Sequence, residues 1–439
     1  MKHLYSQYQV YNHTFSSKKK IFFPNKINKI VKLLKDLKRK NIKPLILSGG
    51  CGHGDKSFLK KNDYLIYLNK FNKILKIDKK KNIIKVQAGV KLIDLQKFLE
   101  KRNFFIYNIS GGRTVSVAGA ITGNVHGRPQ SKNYCTFGDN VTYLKYLDKD
   151  LKIKKINRSN ANFKKFIGSF GLNGIIIEAG LKIFKLKFKS YFKIENKVIG
   201  KNNFDKLDRN HDSFYGYINY FNKKRFIGNF IYFLPSKKLS KRNIQFDLFK
   251  FLNYFKLDFL ASFFINKYTL RILYFLLFNI KNINMNRNLA TFKESIYFVN
   301  INTYLPFFFR KGMIEIQFSI KKNKLFKIID SIKNKQNHNN IFPFFFILKK
   351  MNSTKEKYFF NFPKYNYCIS LGYPKAEFLK KKHFFEELYK IFYENDCNLY
   401  LTKDETVMDI DNKYKDKLKK KIKFNNIISN EFYEKMNKK

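Results

Sequence analysis

Residues 49–55 read Gly-Gly-Cys-Gly-His-Gly-Asp, with four glycines in six positions. Glycine loses more backbone freedom on folding than any other residue, so such a run persists where something must come very close to the main chain. A second passage, SGGRTVSVAGAITGNVHG, spans 110–127 and spaces Gly119, Gly123 and Gly127 four apart. Amides presented by glycine turns at strand and helix ends bind diphosphates without cationic side chains. Two such loops can grip the two sides of one extended ligand. Neither contains Gly-x-Gly-x-x-Gly and neither is followed by Gly-Lys-Ser/Thr, which argues against a Rossmann domain and a nucleotide P-loop.

Around these passages strand and helix signals alternate over roughly the first 185 residues. IVKLLKDLKRK (30–40) has helical spacing, and KPLILSGG (43–50) is a short apolar run ending in glycine. YLIYLNK (64–70) and IIKVQAGV (83–90) read as strands, and LIDLQKFLEKRN (92–103) as a helix with Leu92, Leu95, Phe98 and Leu99 on one side. YLKYLDKDLKIKKI (143–156) reads as two strands across an Asp-containing turn, and GLNGIIIEAGLKIFKLK (171–187) as a loop and a buried strand. Beyond Phe188 glycine becomes scarce and the texture turns to aromatic strands. MIEIQFSI (313–320) alternates cleanly, KLFKIIDSIKNK follows as a helix, and FFFILKK, YNYCISLGYP and the helix HFFEELYKIFYEN continue a sheet with helices on one face. The expected class is α+β, with domains at 1–187 and 188–396 and a C-terminal segment, 397–439, too short to fold alone. Residues 281–296 and 334–340 are expected to be mobile loops.

Composition sets outer limits. With 439 residues and 44% hydrophobic content, two or three domains are available. The formal net charge of +57 invites a nucleic-acid reading. However, Lys, Asn, Ile, Phe and Tyr are over-used together along the whole chain, as an AT-rich coding sequence produces, so no nucleic-acid partner is expected. Cys51, Cys135, Cys368 and Cys397 form no CxxC pair, so neither a metal site nor a disulfide framework is implied, in keeping with a reducing cytoplasm. The first residues, MKHLYSQYQVYNHTF, lack the apolar core of a signal peptide. The most apolar stretch, FLASFFINKYTLRILYFLLFNI (259–280), is interrupted by Lys267 and Arg271. It reads either as a buried helix or as a segment lying against a membrane or greasy ligand with its cations at the headgroups.

Taken in order, GGCGHGD, VQAGVKLIDLQKFL, ISGGRTVSVAGAITGNVHG, FGDNV and FIGSFGLNGIIIEAGL resemble the FAD-binding domain of the vanillyl-alcohol-oxidase (PCMH-type) flavoproteins. Within that superfamily the chain is most similar to the decaprenylphosphoryl-β-D-ribose 2-oxidases, whose pattern FILKK, YNYCISLGYP and NLYLTKD also match. The resemblance implies a two-subdomain FAD-binding domain plus a substrate domain whose antiparallel sheet is covered by helices. It implies FAD contacts from Gly49, Gly50, Cys51, Gly52, His53, Gly54 and Asp55 on one side. Gly111, Ser116, Ala118, Gly119, Gly123, Asn124, Val125 and Gly127 would act on the other, with Ile176 and Tyr400 completing the pocket. Gln317, Lys349 and Cys368 would bind substrate beside His126 and Lys403.

Oxidising a secondary alcohol requires loss of a hydride, here to flavin N5, and of the hydroxyl proton, so a base or cation must hold the oxygen. The resemblance assigns that role to Lys403, with His126 beside it, and makes Lys349 the ligand of a substrate phosphate. Cys368 then lines the pocket without acting as a nucleophile. His53 departs from the family's pattern, which has a tyrosine there; in sugar and lactone oxidases a Gly-x-Gly-His histidine carries the flavin covalently. The expected function is oxidation of the 2-hydroxyl of a polyprenylphosphoryl ribose. The FAD is non-covalent, with attachment through His53 as the alternative. An NAD(P)H-dependent short-chain reductase would complete an epimerisation at the cytoplasmic, inner face of the plasma membrane. A soluble alditol or aldonolactone oxidase of the same fold is the alternative, and a basic nucleic-acid-binding protein on a degenerate flavin fold is the alternative of another class.

Overall fold

We describe the protein from a computed structural model. It describes residues 3–61, 63–112, 114–186, 191–222, 225–236, 266–279, 289–291, 296, 311–403, 406, 409 and 428–437. The chain divides into two units, Met1–Leu186 with Thr354–Asn361 and Leu401–Lys439, and Lys187–Ser353 with Phe362–Tyr400.

The first unit holds two main sheets. In one the strands lie in the order His3–Gln9, Ser16–Phe22, Tyr64–Tyr67, Leu45–Leu47, the first pair antiparallel and the other contacts parallel. Its helix, Ile27–Arg39, carries Ile30, Leu33, Leu34 and Leu37 on one stripe and buries them with Phe22, Ile66 and Leu68. The other sheet is antiparallel throughout, ordered Ile74–Asp78, Ile83–Gln87, Ile175–Lys182, Val141–Leu147, Ile153–Asn157. Ile175–Lys182 is central and nearly all buried, and the short helix Val117–Thr122 packs against it. Asp139 ties the loop after that helix: its Oδ2 accepts the amides of Cys135 (2.7 Å) and Thr136 (2.8 Å), and its Oδ1 accepts the Tyr358 hydroxyl at 2.5 Å. Tyr358 belongs to Thr354–Asn361, an excursion that the sequence pattern leaves inside the second domain.

The second unit is built on an eight-stranded antiparallel sheet, ordered Leu289–Thr291, Tyr191–Gly200, Ile227–Ser236, Phe214–Ile218, Phe345–Lys350, Tyr367–Pro374, Met313–Ile320, Asn398–Leu399. On Met313–Ile320, Ile314, Ile316, Phe318 and Ile320 alternate with Glu315, Gln317 and Ser319. Phe318 meets Phe392 of the helix Lys382–Glu394 at 4.4 Å between ring centroids. That helix in turn packs on the helix Leu325–Asn339. The apolar face is therefore the one that the helices cover.

One expectation fails. Residues 334–339, expected in a mobile loop, are the end of the helix Leu325–Asn339, and Asn340 caps it in the left-handed region at φ 52°. The Asn-rich sequence is a weak helix former. Tertiary contacts outweigh that preference: Gln336 is fully buried and its Nε2 donates to the Tyr373 hydroxyl at 2.8 Å. Of the other expected loop, 281–296, all but 289–291 and 296 lie outside the described residues. Within 259–280 the described helix is Lys267–Asn279, with Leu270 and Tyr274 buried and Tyr268, Ile272 and Phe275 exposed. Among the described residues no helix is long and apolar enough to cross a membrane.

Candidate active site

The strand Leu45–Leu47 ends where the first glycine run begins, and the run is held against the second passage by small polar groups. Ser48 Oγ lies 2.5 Å from Ser116 Oγ, and Cys51 Sγ lies 3.0 Å from Thr114 Oγ1. The Tyr67 hydroxyl donates to the Gly49 carbonyl at 3.2 Å. A Cβ on Gly49 would stand 2.8 Å from both the amide nitrogen and the Oγ of Ser116, so the loops touch backbone to backbone only because residue 49 has no side chain. Gly50 sits at φ +66°, a conformation that a side chain would strain. Burial raises the Cys51 thiol above its ordinary value, which keeps it protonated and argues against a nucleophilic role.

The two passages use their amides differently. Ser116 caps the helix Val117–Thr122, its Oγ accepting from Gly119 N at 3.2 Å, a contact worth about 1 kcal/mol. The amides of Val117 and Ala118 donate to Val90 O and Ala88 O, both at 2.9 Å. The first three amides of that helix are thus already satisfied. By contrast, the amides of Gly49, Gly50, Cys51 and Gly52, and that of Gly111, reach no acceptor among the described residues. They are the donors that an anion between the passages would meet. The second passage also supplies Asn124, buried at φ 41°, whose Oδ1 accepts Gly138 N at 3.3 Å while its Nδ2 has no partner among the described residues. A buried donor left unpaired costs about 1–3 kcal/mol, a cost that a ligand acceptor removes.

Gly127 is the tightest point of the second passage: a Cβ there would fall 1.8 Å from the Ile109 carbonyl oxygen. His126 beside it is partly buried, as is Val125. Thr402 donates its hydroxyl to Gly123 O at 2.6 Å, and a Cβ on Gly123 would meet Thr402 Cγ2 at 2.9 Å. This contact sets the backbone of Lys403 one residue from the second passage. Ile176 is buried in the central strand opposite Tyr146, at a register shift. Asp55 is fully buried and pairs with Lys435 Nζ at 3.0 Å, and burial raises its carboxyl above the ordinary value. His53 is buried, its ring 5.9 Å from that of Tyr11.

The remaining residues lie in the second unit. Gln317 pairs in register with Ser370, and Ser319 and Lys349 both pair with Cys368, so Gln317, Lys349 and Cys368 share one face of the sheet. Gln317 Nε2 donates to Cys368 Sγ at 2.9 Å, and Ser370 donates to the buried Glu315 at 2.6 Å. Lys349 Nζ lies 5.7 Å from the centre of the Tyr215 ring. Tyr400 donates its amide to Gln317 O at 2.7 Å and stacks on Phe362 at 4.4 Å. After Tyr400 the chain enters the first unit at Leu401. Ser48, Thr114 and Thr402, the polar ties between loops, escape a reading of the sequence because a lone Ser or Thr carries no signal. Glu315 alternates with Gln317 and was within reach of the strand pattern.

The fit to a flavin dinucleotide rests on these features: amides that reach no acceptor among the described residues, four on the first loop and one on the second, a buried Asn124 donor likewise without a described partner, and glycines that admit no Cβ. Residues 19–157 match the family described as the FAD binding domain. This segment is an FAD-binding domain. Over 121 residues the chain is 29% identical to L-gulonolactone oxidase of Scyliorhinus torazame, covering 27% of each. Over 132 residues it is 27% identical to decaprenylphosphoryl-beta-D-ribose oxidase of Mycolicibacterium smegmatis, covering 29% of this chain and 28% of the relative. The chain thus spans about a quarter of the length of these curated relatives. Cholesterol oxidase of Brevibacterium sterolicum superposes with a TM-score of 0.72 at 11% identity, over 99% of this chain and 97% of that one. The fold is that of the PCMH-type FAD oxidoreductases, and its cofactor is FAD.

Proposed function

We propose that this protein is an FAD-dependent oxidoreductase acting on a secondary hydroxyl of a sugar, with the 2-hydroxyl of a polyprenylphosphoryl-β-D-ribose as its substrate group. The observation that carries the reading is the Thr402–Gly123 hydrogen bond of 2.6 Å, which ties the Lys403 segment to a cofactor loop. Bound FAD supplies a two-electron acceptor for the hydride of the carbinol carbon. The chain's own task is the proton: Lys403, as neutral base or as ammonium, holds the hydroxyl oxygen while negative charge develops, and His126 stands in the passage 110–127 that Thr402 contacts. In the second unit Gln317 and Cys368 offer a hydrogen-bonding surface, and Lys349 a cation for phosphate.

The exposed Tyr268, Ile272 and Phe275 beside Lys267 and Arg271 support peripheral contact with an anionic membrane face, where a prenyl phosphate resides. A keto sugar released there requires a hydride-donating reductase, an NAD(P)H-dependent one in our reading, to finish an epimerisation. FAD is held non-covalently in this proposal. A second reading, a soluble aldonolactone or alditol oxidase, is favoured by the similarity to L-gulonolactone oxidase and by the buried His53 after Gly50-Cys51-Gly52.

Anaerobic mixing decides between the two. Bleaching of the flavin band by a prenylphosphoryl pentose, but not by L-gulonolactone or alditols, supports the first reading; the reverse pattern sinks it. Lys403→Met should slow bleaching by about 100-fold or more at unchanged flavin content, the usual scale for a lost general base. Flavin fluorescence that stays with the polypeptide on a denaturing gel would assign covalent attachment through His53 instead.

A further inference from the structure

The far C-terminal helix, Glu431–Asn437, is docked on the exit of the first glycine run, some 380 residues away in sequence. Among the contacts that fix it, beside a Lys61–Glu434 ion pair of 2.9 Å, Asn430 Nδ2 donates to Lys56 O at 3.4 Å, and Glu431 N to Phe58 O at 2.7 Å. Lys60 N donates to Glu431 Oε2 at 3.2 Å, and Lys435 Nζ meets Asp55 Oδ2 at 3.0 Å. Asp55 lies on the single turn Gly54–Ser57, whose Ser57 Oγ stands 1.7 Å from where a Cβ on Gly52 would be. The turn therefore backs directly onto the loop that presents the free amides.

We infer that Lys435 is a positioning residue for the cofactor, holding Asp55 and through it the turn that sets the Gly49–Gly52 amides, so that the C-terminal helix acts as a clasp on FAD. The inference rests on the FAD reading of this loop. Asp55 has no exposed surface, and its Oδ1 finds no partner among the described residues, so Lys435 supplies the compensating cation inside the fold. Lys435 also meets Asp409 at 2.7 Å, but Asp409 is much the more exposed of its two partners. Without Lys435, the carboxylate must take a proton or turn toward water, and either response moves Gly54–Ser57 against Gly52.

The test is FAD affinity and flavin-linked melting of the full chain. Lys435→Met should raise the FAD dissociation constant about tenfold or more and shrink the rise in Tm on adding FAD, with a smaller change in the apoprotein's Tm. Lys435→Arg should restore most of both, and Asp409→Asn should stay within about twofold of wild type. Equal losses of Tm with and without FAD would make Lys435 merely structural and overturn the proposal. So would equal weakening by Asp409→Asn. If Lys435→Met does not fold, the double variant Asp55→Asn/Lys435→Met removes both charges; wild-type FAD affinity there also overturns it. A wild-type protein that binds no FAD would instead sink the cofactor reading.

Discussion

The two units build their candidate sites from different material. In the first, the passages at 49–55 and 110–127 offer main chain: amides without an acceptor among the described residues, a left-handed glycine, and contacts so close that a single methyl group would collide. In the second, the polar face of the sheet offers side chains, Gln317 on Cys368 and Glu315 on Ser370, hung on a regular antiparallel ladder. A backbone cradle depends on the absence of atoms and tolerates almost no substitution. A face of side chains on intact strands can change its chemistry while the ladder stays in place. Mutations should therefore separate cofactor loss from substrate loss by unit.

The largest effect is expected at Gly127. Alanine there places Cβ 1.8 Å from the Ile109 carbonyl oxygen, a backbone atom that can move only with its strand-like neighbours. Such a clash belongs to the class costing more than about 4 kcal/mol, so Gly127→Ala should yield protein with little or no flavin and a sharply lower Tm. Gly52→Ala meets only the Ser57 side chain, its hydroxyl at 1.7 Å, so adding Ser57→Ala should recover part of the lost flavin. Full flavin occupancy and an unchanged Tm in Gly127→Ala would break the backbone account of this site.

This contrast also explains what is legible in the sequence. Glycine runs advertise themselves because no other residue fits them, so both passages stand out from the order of residues alone. The alternating MIEIQFSI likewise exposes a two-faced strand. The N-terminal strand Ser16–Phe22 escapes notice because three consecutive lysines hide it, yet Lys19 is buried and donates to Leu59 O at 2.7 Å. The helix through 334–339 is equally hidden, because its stability comes from Gln336 and Tyr373 rather than from local preference. Lys435 and Asp55 are unreadable as a pair, since one lysine among 89 basic residues carries no mark of its partner.

A smaller, differently shaped effect is expected in the second unit. Gln317→Leu keeps the volume but removes the donor to Cys368 Sγ and any donor to substrate. A lost hydrogen bond of about 1–1.5 kcal/mol corresponds to roughly a tenfold rise in KM. Flavin content should be unchanged, because none of the amides of the cradle lies in this unit. If Gln317→Leu loses flavin as Gly127→Ala does, the division of labour between the units fails.

The smallest effect tests the excursion Thr354–Asn361, which belongs to the first unit although it departs from the second in sequence. Glu356 accepts from Lys164 at 2.7 Å and from Arg158 at 3.2 Å, and the Lys164 contact, ahead of that with Arg158, holds its carboxyl below the ordinary value of 4.5. A carboxylate depressed in the folded state contributes stability that is complete above its unfolded value and is lost as pH falls through the folded one. The Tm gap between wild type and Glu356→Gln should accordingly be full at neutral pH and close as the pH drops below 4.5. The side chain is 35% exposed, so the gap should be modest and should shrink further in salt of about 1 M. A gap that persists in acid would mean that Glu356 holds the excursion by packing rather than by charge, and the excursion would then follow the side-chain rules of the second unit.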